Sequence, residues 1–600
     1  DHRFILKEWL DLSQVLDSSR YRGSFSLEDI DLILDNSLKV AREVIAPCND
    51  DGERMPARFE DGRVRVPDSY KSAYFFVQEN GLGSSNRNRH DESALPNCLL
   101  ACSNEYLAAA NPSLGPYFLA TTGAAGLIQS YGSEEVKRVF LPKMFSGRWS
   151  GTMDLTEPGG GSDVGEILTR AYPTEEPGVY RIVGTKCFIT GGEQDLTENI
   201  VHLTLARIEG AAAGTRGISL FVVPKYWPRP DGEAGEFNDV VCAGIEHKLG
   251  LKGSSTAVIN FGENGRCRGY LLGDPPGPDG AGQGMAQMFD MMNEERLVTG
   301  LAALSLATLA YNNAARYASQ RIQGRRLSNP RGERVPIIQH EDVRRMLLFQ
   351  KAHQDALRAL IIYTYYLQDL AETSPQPEVV QRARAAIEVN TPIVKAYCSD
   401  QAFLCISEAM QVYGGYGYSE EYPIAQLLRD SRIYSIWEGT NYIQALDLVG
   451  RKWRLAQGQV FTSWLKEINQ FLEQNSGSAG FEREFALMQQ AGRSYLQIYK
   501  AIGEYVMGGK ISMVGLYATR ILHATGKLVC GRLLLEQALL AQRKLEQLTG
   551  DHPDRHFYQG KIASARFYVR NIVPEIETAM KIILDGDTSA LDLAEEALLL

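Results

Sequence analysis

Tyr180-Arg-Ile-Val-Gly-Thr-Lys-Cys-Phe-Ile-Thr190 is rich in β-branched and aromatic residues, and its side chains alternate with a period of two. That is the pattern of a strand. Residues 200–205 and 218–223 repeat the texture, each bounded by glycine, proline or polar turn residues. Together they predict a compact β domain over residues 151–284. On either side the period becomes helical. Residues 1–150 read mainly as helices: 27–44 carries apolar residues at helical spacing, with Ser24 or Ser26 as cap and Pro47 as stop. A second helix is expected over 134–141, capped by Ser133, with Glu134 and Glu135 in its first turn and Pro142 just beyond its end. Residues 285–450 return to long helical segments, clearest at 297–325 and 340–370, and Gly450-Arg-Lys452 closes that part. Residues 455–600 predict about four more helices, punctuated by Gly477, Gly508-Gly509 and Pro553. The expected fold class is α+β, in four segments: 1–150 helical, 151–284 β, 285–450 helical and 455–600 additional helices.

At 600 residues the chain exceeds one core and divides into several domains. A formal net charge of −11 argues against a nucleic-acid partner, which calls for a basic face, but leaves room for a local basic pocket and a small anionic ligand. The nine cysteines form no CxxC pair, as expected of free thiols in a reducing compartment, and Cys98 and Cys102 read as core fillers. No apolar run approaches the roughly 20 residues of a spanning helix, and the first residues lack the apolar core of a signal peptide. A cytoplasmic location is the expectation. No metal is expected: His202 and His247 lack neighbouring ligands and read as structural. His552 and His556 have Pro553 between them and no HExxH glutamate, so they read as a solvated loop.

Two motifs carry chemistry. Upstream of the opening strand lies Met153-Asp-Leu-Thr-Glu-Pro-Gly-Gly-Gly-Ser-Asp163, where three glycines stand beside small hydroxyls and backbone donors. A Rossmann fingerprint requires G-x-G-x-x-G between a strand and a helix. Here the next glycine is Gly165 and a strand follows, so that reading fails. Far downstream stands Ser435-Ile-Trp-Glu-Gly-Thr-Asn441. A carboxylate followed at once by glycine leaves a substrate room to approach both the side chain and the backbone amide.

Taken together, these motifs resemble the signature of the acyl-CoA dehydrogenases. The match spans roughly residues 70–450, and it is supported by Arg321-Ile-Gln-Gly-Arg325, Gln411-Val-Tyr-Gly-Gly-Tyr-Gly417 and Arg429-Asp-Ser-Arg432. Asn199–Leu203, Gly214–Ser219 and Gly244–Gly250 point to the long branch that includes 3-methylthiopropanoyl-CoA and fatty acyl-CoA dehydrogenases. The resemblance implies an N-terminal helical domain, a middle β domain, a C-terminal four-helix bundle and an extra C-terminal helical domain. It also implies FAD, held by Leu155, Thr156, Gly161, Ser162, Phe188, Thr190, Arg321, Gln323, Gln411, Gly415, Thr440 and Tyr442. Phe188 replaces the usual tryptophan, and Gln323 the more usual threonine. Arg321 would reach a neighbouring subunit's FAD with its planar fork. The implied reaction is α,β-dehydrogenation of an acyl-CoA thioester to the trans-2-enoyl-CoA. Glu438 would take the α-proton while the β-hydrogen leaves as hydride to flavin N5, with Gly439 and Arg296 at the substrate. The Glu438 N–H and a flavin ribityl hydroxyl would serve the developing enolate as an oxyanion hole. The implied partners are electron-transfer flavoprotein as acceptor and a second copy of the chain, as a dimer or dimer of dimers.

Three departures stand out. Glu295 occupies a helical position from which some relatives draw their base, so the chain offers an alternative or accessory base, read here as a polar neighbour that trims substrate range. Residues 81–90 replace the usual glycine-rich channel loop, and Tyr442 fills a slot often glycine or glutamine. Chain length and branching of the acyl group stay open. The rival readings are an oxidase delivering electrons to oxygen and a non-catalytic homologue. The acidic, apolar tail gives DNA association little weight. Residues 511–547 look amphipathic and read as a cap packing on the body or on a second subunit, rather than as a membrane-surface module.

Overall fold

The computed structural model describes residues 1–82 and 94–599, so the channel-loop substitutions from residue 83 onward lie outside the described residues. Along the chain the larger helices are α1 (Leu27–Val40), α2 (Ala46–Arg54), α3 (Asp68–Glu79), α4 (Asn97–Ala110), α5 (Gly115–Tyr131) and α6 (Glu134–Phe145). The strands β1 (Trp149–Asp154), β2 (Arg170–Pro173), β3 (Val179–Thr190), β4 (Asn199–Ile208), β5 (Ile218–Pro224), β6 (Val240–Ile245), β7 (Thr256–Phe261) and β8 (Arg268–Leu271) follow. Then come α7 (Gly284–Gln320), α8 (Glu341–Thr373), α9 (Pro377–Tyr413), α10 (Pro423–Ser431) and α11 (Asn441–Leu446). The chain continues as α12 (Gln459–Gln474), α13 (Glu482–Met507), α14 (Ile511–Gln547), α15 (Arg555–Asn571) and α16 (Glu575–Asp585). The helical, β, helical order is the one the sequence predicts.

Several boundaries differ from expectation, each for a local reason. Ser26 does cap α1: its Oγ accepts from Asp29 N at 3.3 Å while the Asp29 carboxylate accepts from Ser26 N at 2.7 Å. This is the reciprocal arrangement of a capping box. Pro47 does not stop the chain there, because a π turn over Ala41–Ile45 restarts the helix and leaves proline at the second position of α2. The missing N–H costs little in a first turn. Ser133 caps α6, accepting from Val136 N at 3.3 Å, but Pro142 lies inside that helix, which runs on to Phe145. The helix expected over 297–325 begins at Gly284 and stops at Gln320, so Arg321 stands beyond its end. Helical turns pass through Gly450 as far as Arg454, and the run breaks at Leu455–Gln457, where the backbone is not helical.

The molecule divides into two compact units: residues 32–94 with 106–295, and residues 1–31, 95–105 and 296–600. The β-containing unit holds an eight-stranded sheet in the order β6-β7-β3-β8-β5-β4-β1, with β2 paired to both β3 and β4. That double pairing closes β3-β8-β5-β4-β2 into a ring. β4 and β5 are buried along their whole length. Alternate residues serve opposite cores, since Phe221 and Val223 join one apolar cluster while Ile218, Leu220 and Val222 join the other. Strands covered on both faces read as continuous apolar runs, as these do. Helices fill each core: Tyr74 of α3 stacks on Phe118 of α5 at 5.0 Å, and Phe140 of α6 meets Trp149 of β1 edge-on at 5.7 Å.

In the helical unit α14 is the central element, packed against α8, α9, α13 and α15. Residues 511–547 pack on the body, as expected, but not through a single amphipathic stripe. Buried positions such as Leu522, Ala524, Thr525, Leu528, Cys530 and Ala538 lie on every side of the central part of α14. Polar groups entering this core are paired: Tyr397 and Tyr568 share a hydroxyl bond of 2.5 Å, Tyr495 meets Thr525 at 2.6 Å, and Trp464 Nε1 donates to Asn390 at 3.1 Å. A buried ion cluster joins Glu105 of α4 to Arg358 of α8 and to His2. All nine cysteines are buried and unbridged.

Candidate active site

In the β-containing unit the glycine segment is a turn built outward from β1. Glu157 and Gly160 exchange backbone bonds of 3.0 Å, which leaves Gly161 and Ser162 at the surface. The Glu157 carboxylate folds inward, accepting from Leu168 N at 2.6 Å, Thr169 N at 3.1 Å and Lys186 Nζ at 2.8 Å. Lys186, fully buried on β3, also donates to the Leu155 carbonyl at 3.0 Å, and Cys187 N donates to Thr156 O at 2.9 Å. Burial pulls the Lys186 amine down, and Glu157 opposes that pull. On Glu157, burial alone would raise the carboxyl, but Lys186 and the donors around it hold the group below its ordinary value. The pair therefore staples residues 155–157 to β3.

On that same strand Phe188 takes a left-handed φ of +60° and is 62% exposed, with Thr190 part-buried two residues on. A large apolar ring held out of the core at strained backbone, beside a turn of small residues, fits a flat ring system bearing phosphates. Behind this surface a second buried cluster, missed in the sequence, ties Asp154 to His202 at 2.9 Å and to Thr152 at 2.6 Å. His202 is thus structural, with a carboxylate partner that is distant in sequence.

In the helical unit Glu438 sits in the turn between the 3₁₀ segment Arg432–Ser435 and α11. Its φ is +55°, and Gly439 follows at +80°. For a residue with a side chain this conformation costs on the order of 1–2 kcal/mol. The φ of +80° favours glycine at 439, and a Cβ there would also press on Gln444 Nε2 at 2.7 Å. Thr440 caps α11 by accepting from Ile443 N, and Gln444 reaches back to the Glu438 and Gly439 carbonyls, each at 3.3 Å. Arg296 of α7 lies beside Gly439, is itself buried, and faces Asp447 at 3.7 Å. Lys395 of α9 donates to Asn441 at 2.8 Å. Burial pulls the lysine down to about 7, against the fields of the Glu438 and Asp400 carboxylates. Tyr442 is half exposed, its hydroxyl over Gly515 of α14.

The remaining sequence-predicted residues form a second group in this unit. The Arg321 guanidinium lies over the Tyr416 ring, 5.5 Å from its centroid, so the arginine and glycine motifs meet although distant in sequence. Gln323 is fixed by backbone pairing to Val335, by His340 on its carbonyl and by Arg334 on its side chain. Gln411 and Gly415 are exposed where α9 gives way to a 3₁₀ turn. Glu295 immediately precedes Arg296 in α7 and is part-buried. Among the described residues no group of three or more His, Cys, Asp or Glu could hold a metal ion.

Three family models match this chain: the acyl-CoA dehydrogenase middle domain over residues 152–263, the acyl-CoA dehydrogenase C-terminal domain over 282–452, and the acetyl-CoA dehydrogenase C-terminal-like domain over 464–594. A butyryl-CoA dehydrogenase of Syntrophomonas wolfei is 45% identical over 600 residues, covering 100% of this chain and 98% of the relative. The chain belongs to the acyl-CoA dehydrogenase family. A 3-methylmercaptopropionyl-CoA dehydrogenase of Ruegeria pomeroyi is 37% identical, with 95% of this chain and 94% of the relative covered. The fold is shared with a Bacillus anthracis acyl-CoA dehydrogenase solved with FAD, at a TM-score of 0.73 and 22% identity over 96% of this chain and 91% of that one. As a family member this acyl-CoA dehydrogenase is an FAD-dependent oxidoreductase. Its function is acyl-CoA dehydrogenation, and the oxygen-using alternative is not favoured. No helix among the described residues is long and apolar enough to cross a membrane.

Proposed function

We propose that Glu438 is the base that takes the α-proton of a short-chain, straight acyl-CoA thioester, with trans-2-enoyl-CoA as product. The observation that carries this reading is the strained backbone at Glu438, held by Gln444, by the Thr440 cap and by glycine at 439. Strain of this kind persists where the surroundings over-determine it, as at a site that aims one side chain. Glycine at 439 leaves the thioester access to the carboxylate. The Glu438 N–H donates to the carbonyl oxygen as negative charge develops there. Arg296 orients the turn from beneath. FAD, when bound, supplies the hydride acceptor at the β-carbon. Leu155, Thr156, Gly161, Ser162, Phe188, Thr190, Gln323, Gln411, Gly415, Thr440 and Tyr442 would hold it, and Arg321 would reach the FAD of a neighbouring copy. Two of the long relatives, the butyryl-CoA and 3-methylmercaptopropionyl-CoA dehydrogenases, are named for short acyl groups, which supports a short substrate here. We further propose electron-transfer flavoprotein as the acceptor, a homodimer or dimer of dimers, a cytoplasmic location, and the segments 1–150, 151–284, 285–450 and 455–600 as domains.

Anaerobic mixing of the FAD-loaded enzyme with butanoyl-CoA tests the base. E438Q is expected to slow flavin bleaching by about a thousandfold or more, within the range of a lost general base, while E295Q bleaches at a rate within about threefold of the parent. Near-parent bleaching by E438Q would sink the assignment, and a dead E295Q would transfer it.

A further inference from the structure

The turn that carries Glu438 is held at both ends by one carboxylate. Asp400 of α9 accepts from Ser435 Oγ at 2.8 Å and from Asn441 Nδ2 at 2.7 Å, both on Oδ1. Ser435 and Asn441 are the first and last residues of Ser435-Ile-Trp-Glu-Gly-Thr-Asn441, so a single oxygen closes the loop across its neck. The other oxygen, Oδ2, is taken by His523 Nε2 at 2.9 Å. His523 belongs to α14, within the additional helices of residues 455–600, for which the reaction so far has no use. Its ring is fixed in turn by Tyr397, edge-on at 5.7 Å, whose hydroxyl is tied to Tyr568 of α15. Asn441 passes the connection on, donating to the Ala396 carbonyl at 3.1 Å and accepting from Lys395 at 2.8 Å.

We propose that His523 is a positioning residue for the catalytic turn: by fixing Asp400 it sets the neck of the 435–441 loop and hence the aim of the Glu438 carboxylate. The additional helical segment thereby contributes to proton abstraction without touching substrate. This inference rests on the reading of Glu438 as base. The physical case is that Asp400 has two jobs on one oxygen and neither job fixes its rotation. A carboxylate turns about its Cβ–Cγ bond, and the broad torsional well there gives no preferred angle. A charge-assisted bond to the second oxygen is what selects one angle. Without it, Oδ1 can satisfy Ser435 or Asn441 while the other swings away. The strained backbone at Glu438 then has a route to relax, because the φ of +55° persists only while both ends of the loop are held.

The arrangement is distinct from ordinary packing. The His523 and Asp400 side chains are each 26% exposed, so burial does not demand that they pair. His523 also lines an open cavity of about 370 Å³ with Arg520 and Lys527.

The test uses the full-length, FAD-loaded enzyme and anaerobic butanoyl-CoA, with the α-carbon carrying hydrogen or deuterium. H523A is expected to lower the flavin reduction rate by about ten- to a hundredfold, the scale of an angstrom-sized misplacement. The isotope effect on the α-hydrogen should rise, with FAD content and the dissociation constant of butanoyl-CoA within about twofold of the parent. H523Q, which keeps an N–H donor in place of Nε2, is expected to recover most of the rate. An H523A enzyme that reduces at the parent rate overturns the proposal, as does H523Q failing alongside H523A. If H523A does not yield folded holoenzyme, S435A removes one oxygen from the neck of the loop and is read on the same scale; a parent rate there overturns the proposal too. E438Q run beside them separates the two readings. If E438Q reduces at the parent rate, the base assignment fails first. If E438Q is dead and H523A is intact, only the role of His523 fails.

Discussion

At the residue scale, Glu438 could be singled out in the sequence because its neighbour is glycine, and glycine beside a carboxylate marks a place where something approaches closely. Its support could not. Lys395 lies in the apolar run Ile393-Val-Lys-Ala-Tyr-Cys398, where a lone cation is the one hint of a buried polar partner. The partners, Asn441 and the carboxylates of Asp400 and Glu438, become neighbours only on folding. Burial pulls Lys395 down to about 7, whereas an unfolded lysine titrates near 10.4. Between those values the unfolded chain binds more protons than the folded one, so stability gained from this residue rises with pH; below about 7 both states are protonated and the slope vanishes. Urea unfolding of the parent and K395M at successive pH values checks this. Their stability difference should move in the parent's favour by up to about 1.4 kcal/mol per unit above pH 7. A difference that stays flat to pH 9 would show that the buried amine stays charged.

At the element scale, periodicity located the helices and strands better than it located their ends. Proline at 47 and at 142 reads as a stop, yet a π turn absorbs the first and the middle of α6 tolerates the second. At Pro47 little is lost, because the residue falls in a first turn, whereas at Pro142 packing of the helix outweighs one lost hydrogen bond. α14 packs on the body as its sequence predicts, but its burial goes beyond one apolar face, and its small residues mark where other helices come closest. Gly526 is the tightest of these: a Cβ there would fall 2.4 Å from the Tyr397 ring. G526A is expected to destabilise by about 1–3 kcal/mol through overpacking, despite the better helix propensity of alanine. Thermal denaturation of the holoenzyme reads it, and an unchanged or raised midpoint would mean that α9 and α14 have slack to separate.

At the scale of the whole molecule, residues 455–600 are part of the same compact unit as residues 296–454. α14 covers α8 and α9, and Trp464 and Tyr568 bond to groups on α9. Truncation after residue 454 is therefore expected to yield insoluble protein or protein that cannot retain FAD, since it uncovers an apolar core rather than detaching a lobe. A soluble, yellow 1–454 fragment, detected by gel filtration and visible absorbance, would contradict this. The sequence alone determined the order of helical and β segments, because the hydrophobic period is local information. It also marked the glycine turn and the Glu-Gly turn as places of close approach, because glycine beside small hydroxyls or a carboxylate leaves that room; the roles proposed for them come from the family resemblance. Only the tertiary structure decided how those turns are held: Lys186 beneath Glu157, Asp154 on His202, and Asp400 across the neck of the 435–441 loop with His523 behind it. These partners are far apart in the chain. Charged and polar groups find their counterparts wherever the fold brings them, and spacing along the sequence carries no record of that.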